Sequence, residues 1–460
     1  MRYDFLVIGG GSAGYAAART ACELGARTAV VDGAGELGGL CILRGCMPSK
    51  TLIYSAEVFH LARMGRVFGF DATEPRANLA AMQARKREVI REFAEYRQGQ
   101  LSDGRFSLYR SQAAFRDSNS VELADGAVLE AGKILVATGS EPNAPNLSGF
   151  LDTPLRTSDD VLDLEEVPEE VIVLGGGVIA CELGQFLSRV GARVTMIQRS
   201  PRLLKEFSPE ASAVVEQAFR DEGMELFLGT SLEGFENLPE GKVRVRFSQN
   251  GESLTRDTGY LFNALGRRPA TDGLNLVAGG IKTLPSGHLR TNAHQQTTNP
   301  SVYAAGDCSG PKEIVHVAIR QGETAAKHAL GEDVPPMNYD HLLSVVFTDP
   351  QLACVGLSSE EMDKRGLAWV AASYPFDDHG KSILMEAKRG HVSIHAEKPG
   401  GRLLGAECVG KDAGELIHAL SVGVSLGATA EDLLRADWYH PTLSEIWTYP
   451  LEDLAEETSA

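Results

Sequence analysis

Residues 4–32, DFLVIGGGSAGYAAARTACELGARTAVVD, run as an apolar stretch, a glycine turn, a segment of small residues and a second apolar stretch ending in Asp32. Short continuous apolar runs bounded by glycine suit strands buried on both faces, so the segment predicts a parallel strand–helix–strand unit. The same plan returns at 170–199, EVIVLGGGVIACELGQFLSRVGARVTMIQR. Two units of about thirty residues each predict tandem Rossmann-like nucleotide-binding folds in an α/β chain. Between them, NLAAMQARKREVIREFAEYRQGQL places apolar residues at helical spacing, with its charges on a solvated face. GRFSLYRSQAAFRD and SVELADGAVLEAGKILVATG alternate as strands and hairpins do. Prolines cluster at Pro142, Pro145 and Pro154 and again at Pro335 and Pro336, marking breaks. Beyond about residue 337 strands and helices mix without a glycine fingerprint, which predicts a third, α+β domain.

Length and charge narrow the reading. The 460 residues leave room for about three domains. A net charge of −18 sets the protein's field against phosphate backbones and anionic bilayers, so neither nucleic acid nor membrane is an expected partner. No run approaches the ~20 apolar residues of a membrane helix, and the N-terminus reads as a strand rather than a leader, so a cytoplasmic location is expected. Five of the seven cysteines (Cys22, Cys181, Cys308, Cys354, Cys408) are scattered and read as small buried hydrophobes.

The glycines carry chemistry. Gly9, Gly11 and Gly14 follow a strand and open a helix, the arrangement that admits a pyrophosphate to backbone N–H groups, and Asp32 stands where a ribose acceptor belongs. The second unit has Gly175, Gly177 and Ala180, but its second strand ends in Gln198 and Arg199 instead of an acid. Arg199 and Lys205 suit a 2′-phosphate; the alternative is a pair of ordinary surface cations.

The remaining two cysteines, Cys41 and Cys46, lie in GGLCILRGCMPSK. With four residues between them they can close a small redox ring, and Arg44 and Lys50 would stabilise a thiolate. A zinc half-site lacks partners at suitable spacing, so no metal is expected. Thiol–disulfide exchange also needs a proton carrier near neutral pH. His440 in WYHPTLSEIW is the candidate, with Glu445 placed to orient its ring, although Thr442-x-x-Glu445 also fits a helix capping box.

Taken together, the chain resembles the pyridine nucleotide–disulfide oxidoreductases, the family of dihydrolipoamide dehydrogenase, glutathione reductase and mercuric reductase. The resemblance spans nearly the whole chain. It rests on the Cys-x4-Cys-x-Pro-Ser-Lys run, ATG at 137–139, ALGRRPAT at 264–271, NPSVYAAGDC at 299–308, VVFTDPQLACVGL at 345–357 and HPTLSE at 440–445. It implies two tandem Rossmann-like domains plus a C-terminal α+β dimerisation domain. Residues 1–150 and 268–336 would form the FAD part, 151–267 the NAD(P) part and 337–460 the dimer interface. FAD would engage Gly9, Gly11, Ser12, Gly14, Asp32, Gly39, Thr138, Gly139, Gly306 and Asp307. NADP or NAD would engage Gly175, Gly177, Arg199, Lys205 and Gly266. By the same resemblance Cys46 faces the flavin, Cys41 meets the substrate, and Lys50 pairs with Glu182 near flavin N5. His440, held by Glu445, is supplied by the other subunit of a homodimer.

Departures bear on the substrate. Leu40 and the Leu43-Arg44 pair are unusual, and His316 sits where lipoamide dehydrogenases keep a histidine. Ser12 and Arg19 look like glutathione reductase, but Glu323 replaces the arginine that meets the anionic tripeptide there, which disfavours glutathione. The tail EDLAEETSA lacks the cysteine pair usual in mercuric reductases. The resemblance therefore implies an FAD-dependent dithiol/disulfide oxidoreductase of dihydrolipoamide-dehydrogenase type, acting on a small-molecule or lipoyl-protein disulfide. A glutathione-reductase-like or mercuric-reductase-like NADPH enzyme is the alternative.

Overall fold

The structure, a computed structural model, describes residues 1–71, 75–144, 147–150 and 152–458; Pro145 and the tail beyond residue 458 lie outside them. Strand Arg2–Ile8 pairs in parallel with Thr28–Val31 on one side and Val128–Val136 on the other. Ser107–Tyr109 and Val302–Ala304 join the same sheet in parallel, and the Ala113–Phe115/Ser120–Leu123 hairpin extends it. Its strands are buried on both faces. Phe5, Val7, Val30 and Leu135 pack under helices Ser12–Glu23 and Val315–Ala329, while Leu6, Ile8, Val31 and Ile134 pack beneath the hairpin side. The two helices meet almost backbone to backbone, since a Cβ on Gly322 would stand 2.3 Å from the Ala13 carbonyl oxygen.

The second unit is a five-stranded parallel sheet in the order Glu225–Leu228, Arg193–Gln198, Glu170–Leu174, Tyr260–Asn263, Leu155–Arg156. A three-stranded antiparallel sheet, Thr230–Asn237, Val243–Gln249 and Glu252–Thr258, contributes Phe235, Val245 and Phe247 to a core shared with Ile172, Leu174 and Ile197. Both units are tied by an antiparallel ribbon of Ser140–Pro142 with Arg267–Pro269. The C-terminal part is a five-stranded antiparallel sheet carrying helices Ala413–Leu426 and Thr448–Thr458, with Ile394, Ile417 and Trp447 fully buried between them. The α/β class with two tandem dinucleotide folds and a mixed third part is thus the observed architecture. Among the described residues no helix is long and apolar enough to cross a membrane.

Two local expectations change. The Leu79–Ser102 helix does not solvate all its charges: Lys86 is buried, and its Nζ donates to the Leu162 carbonyl and to Asp163 Oδ1, both at 2.6 Å. The lysine has become a staple to the second unit. Among the scattered cysteines Cys181, Cys308 and Cys408 are buried, but Cys22 and Cys354 are only half-buried.

The three parts meet at a polar seam on helix Val178–Val190. Gln185 exchanges two hydrogen bonds of 2.8 Å with the Asp349 backbone. Buried Arg189 bridges Glu222 at 2.7 Å and Asp349 at 2.8 Å. Removing one member of a buried ion cluster strands the others, at a cost of roughly 3–5 kcal/mol. Arg189→Leu is therefore expected to lower the first thermal unfolding transition by several degrees, read by differential scanning calorimetry. An unmoved transition would show that the seam contributes nothing.

Candidate active site

Both glycine turns are built alike. Gly9 has φ +105° and Gly175 φ +113°; a Cβ there would lie 2.3 Å from the Ala137 oxygen and 2.4 Å from the Ala264 oxygen, respectively. The helices they open begin at Ser12 and Val178 without a side-chain cap or an acidic first turn. Four other helices differ: Asn78, Ser208, Ser358 and Thr429 each accept a hydrogen bond from their own first turn. The uncapped N–H groups are what an anionic phosphate needs.

At the first turn Asp32 accepts from Gly10 N at 2.8 Å and Ala34 N at 2.9 Å, which fixes its carboxylate at the rim of a 530 Å³ cavity lined also by Gly33, Arg110, Ser111 and Gln112. Thr138 Oγ1, beside the turn, is buried with no hydrogen-bond partner among the described residues. Gly139 continues that loop with φ +74°. Gly306 N donates to Gln321 Oε1, and Asp307 accepts from Ser140 Oγ at 2.7 Å, with Arg267 Nε on the same hydroxyl. Open backbone donors, an orphaned hydroxyl and a fixed carboxylate fit FAD. At the second turn Gly177 is open, and Gly266 has φ +100°. Arg199 and Lys205 are both exposed and form no ion pair among the described residues.

The cysteine segment is pressed onto the first turn: a Cβ on Gly39 would lie 2.6 Å from Gly11 Cα. Cys41 sits on the short helix Leu40–Arg44, and Cys46 opens helix Cys46–Arg63. The expected disulfide is not closed; both are free thiols, with the Cys41 side chain hydrogen-bonded to Cys46. That bond is the main reason Cys46 is pulled down to about 7, with Lys50 assisting against burial. It is also the first reason, ahead of burial, that Cys41 is pushed up and keeps its proton. The pair is polarised. Arg44, exposed at the end of its short helix, pairs instead with Asp159 at 3.5 Å.

Lys50 Nζ is 2.7 Å from Glu182 Oε2 and 5.0 Å from the Phe347 ring centroid. Glu182 is buried, and its other oxygen accepts from Phe347 N at 2.9 Å. Glu182 and Lys50 also line a second cavity of 460 Å³, with Tyr54, Glu57 and Lys411. Ser12 lies half-buried at the first helix start. Arg19 pairs with Glu323 at 2.7 Å, so the carboxylate expected to repel an anionic substrate is neutralised by its neighbour.

His440 Nδ1 stands 2.9 Å from Glu445 Oε2, with the ring largely exposed. The capping-box alternative is not formed, because the Thr442 hydroxyl donates to the Tyr439 carbonyl instead. No hydrogen bond joins His440 to Cys41 or Cys46 of its own chain among the described residues. Sequence reasoning missed Ser140 and Phe347, although each lies beside or within a motif it singled out, and it missed His379, which carries no motif at all.

These features define a flavin- and nicotinamide-linked disulfide reductase. Residues 3–322 match the pyridine nucleotide-disulphide oxidoreductase model and residues 342–450 its dimerisation domain, and the chain belongs to that family, class I, whose members are FAD-dependent and use NAD(P)H. Mercuric reductase of Lysinibacillus sphaericus is 34% identical over 96% of this chain and 81% of its own length. Dihydrolipoyl dehydrogenase of Thermus scotoductus is 34% identical over 96% of this chain and 95% of its own. The HOCl-induced flavoprotein disulfide reductase RclA of Escherichia coli shares the fold, with a TM-score of 0.87, 24% identity and coverage of 98% and 99%.

The polarised pair makes a pH prediction. In reduced enzyme the first proton leaves the pair near pH 7, so alkylation by iodoacetamide should rise through that pH. Lys50→Met removes a charge that favours the thiolate, and the midpoint should move up. A wild-type midpoint at the ordinary thiol value of ~8.5 would contradict the polarisation.

Proposed function

We propose that the protein passes two electrons from NAD(P)H to a disulfide of lipoyl type, with Cys41, Cys46, His440 and Glu445 as its catalytic residues. The observation that carries this reading is the placement of the cysteine pair: Gly39 packs the segment onto the first glycine turn, and Lys50, held by Glu182, stands on the helix that Cys46 opens. The directions of the two thiol shifts, Cys46 down and Cys41 up, agree with it. FAD, when bound, supplies the two-electron link between the nicotinamide and the pair. His440 of the partner subunit takes the Cys41 proton. The Cys41 thiolate then attacks the substrate disulfide, forming a mixed disulfide, and the first thiolate leaves with the proton from His440. Cys46 attacks Cys41 Sγ, restoring the internal disulfide and releasing the second thiolate, which takes a proton from solvent. The sum is NAD(P)H plus a proton plus one disulfide giving NAD(P)+ and two thiols. Glu445 stabilises the imidazolium through each cycle.

Two features support a neutral, lipoyl-type substrate: the Arg19–Glu323 pair, which leaves no net cation for an anionic tripeptide, and relatives of dihydrolipoyl dehydrogenase type. Exposed Arg199, without an ion pair among the described residues, favours NADPH, since a charge-assisted phosphate contact contributes roughly 1.5–3 kcal/mol. We assign residues 1–150 and 268–336 to the FAD part, 151–267 to the coenzyme part and 337–460 to the dimer interface.

Purified enzyme should be assayed on lipoamide, free lipoate, glutathione disulfide and mercuric ion with each coenzyme. Lipoamide should show the highest kcat/KM, at least tenfold higher with NADPH than with NADH, and Cys46→Ser should abolish it. Arg199→Glu should turn the preference toward NADH. Turnover of mercuric ion with none of lipoamide would overturn the substrate assignment.

A further inference from the structure

A second imidazole lies behind the catalytic carboxylate. His379, between Phe376–Asp378 and helix Gly380–Leu384, is fully buried, and its Nε2 stands 3.4 Å from Glu445 Oε1. Its Nδ1 is 2.8 Å from Ser382 Oγ, itself fully buried. His440 occupies the other side of the same carboxylate, 2.9 Å from Oε2. Glu445 is therefore flanked by two histidines, one exposed and one enclosed.

We propose that His379 is a positioning residue for the His440–Glu445 pair, donating Nε2–H to Glu445 in the tautomer that Ser382 sets. The inference rests on the function proposed above. Burial disfavours a charged ring at His379, so the imidazole is neutral and carries one proton. Were that proton on Nδ1, a bare Nε2 lone pair would face a buried carboxylate, an unpaired acceptor against an anion. With the Ser382 hydroxyl donating to Nδ1, the proton sits on Nε2 and points at Glu445. Among the described residues Nε2 has no hydrogen-bond partner, and Glu445 Oε1 at 3.4 Å is the carboxylate oxygen that faces it. The 3.4 Å separation is long for a hydrogen bond, and such contacts tighten when the site is loaded.

The surroundings leave this role to His379. Glu445 and His440 are the ionisable groups whose charge reaches it. From helix Thr448–Thr458 the Tyr449 ring stands edge-on at 6.3 Å. From strand Trp369–Pro375, Tyr374 stacks on Tyr449 and donates to Asp378, which turns that neighbouring acid away. Asp377 and Lys381 complete the turn, and among the described residues neither forms an ion pair with the ring.

A neutral donor on Oε1 does two things. It fixes the carboxylate plane so that Oε2 faces His440. It also shares the negative charge of Glu445, so that less of it bears on His440. Removing the donor leaves a desolvated carboxylate with one partner fewer, and His440 then binds its proton more tightly. The acid limb of kcat/KM, below which His440 can no longer accept the Cys41 proton, should move to higher pH.

The test is the pH profile of disulfide reduction by the flavin-loaded dimer, for wild type, His379→Leu, His379→Gln and Ser382→Ala. Coenzyme-dependent reduction of ferricyanide, which needs neither the cysteines nor His440, reports folding of each variant. His379→Leu should raise the midpoint of the acid limb by about half to one pH unit, a part of the roughly one to two units that one hydrogen bond to an ionised group is worth, because the effect reaches His440 through Glu445. Ser382→Ala should raise it by less, and His379→Gln, which keeps an N–H in place of Nε2, should return it to the wild-type value. If His379→Leu loses turnover with the limb unmoved, or if His379→Gln fails to restore the limb, His379 is merely structural. His440→Gln separates the two readings. Full disulfide turnover in that variant would defeat the proposed mechanism itself. Lost turnover there, with an unmoved limb in His379→Leu, would defeat only the present inference.

Discussion

The arrangement of the whole chain hangs on the Glu182 carboxylate. It is only 3% exposed, and an ionised carboxyl at that depth is tolerated only when each oxygen has a partner. One oxygen takes Lys50 Nζ from the cysteine-bearing helix, and the other takes Phe347 N from the edge of the C-terminal sheet. The carboxylate itself belongs to the glycine-turn helix of the second unit. A single buried charge thus requires three separately folded parts to meet at one point, and Gln185 and Arg189, one and two turns further along the same helix, extend the seam through Asp349.

That constraint has chemical consequences. Holding Lys50 against Glu182 keeps its charge near Cys46, at the positive end of its helix, and so contributes to the lowered thiol there. The close approach of Gly39 to Gly11 sets the same cysteine segment directly on the first phosphate cradle. With the third part pinned through Phe347, His440 remains exposed and makes no hydrogen bond to its own cysteines among the described residues. The proposed mechanism takes its partner from a second chain. The match of residues 342–450 to a dimerisation domain agrees with that geometry.

Much of this was legible in the sequence because it is local. Both glycine turns announce themselves within about thirty residues, through strand, turn and helix in register, and the cysteine pair and His440–Glu445 lie within short motifs. What escaped was set by long-range contact. Lys86 looked like one charge among many on a solvated face, yet it meets Leu162 and Asp163 from another unit. Arg44 stood beside the cysteines in sequence and pairs with Asp159 in space. Glu323 read as a repulsive carboxylate until Arg19 was found against it. Thr442 offered a capping box, but the chain there spends its hydroxyl on Tyr439 and leaves Glu445 for the two histidines. No spacing rule singles out His379, because its meaning lies in the carboxylate it reaches across 66 residues of chain.

The central claim is that the thiols of one chain work with the histidine of another, and a mixed dimer tests it most directly. One subunit would carry Cys46→Ser and the other His440→Gln, each with a different affinity tag. Each homodimer should be nearly inactive, since every site lacks one group. In the purified mixed dimer one site loses both groups, while the other joins an intact Cys46 to an intact His440. About half of wild-type disulfide turnover should return, with the two sites acting independently. A mixed dimer no more active than its parents would contradict the account.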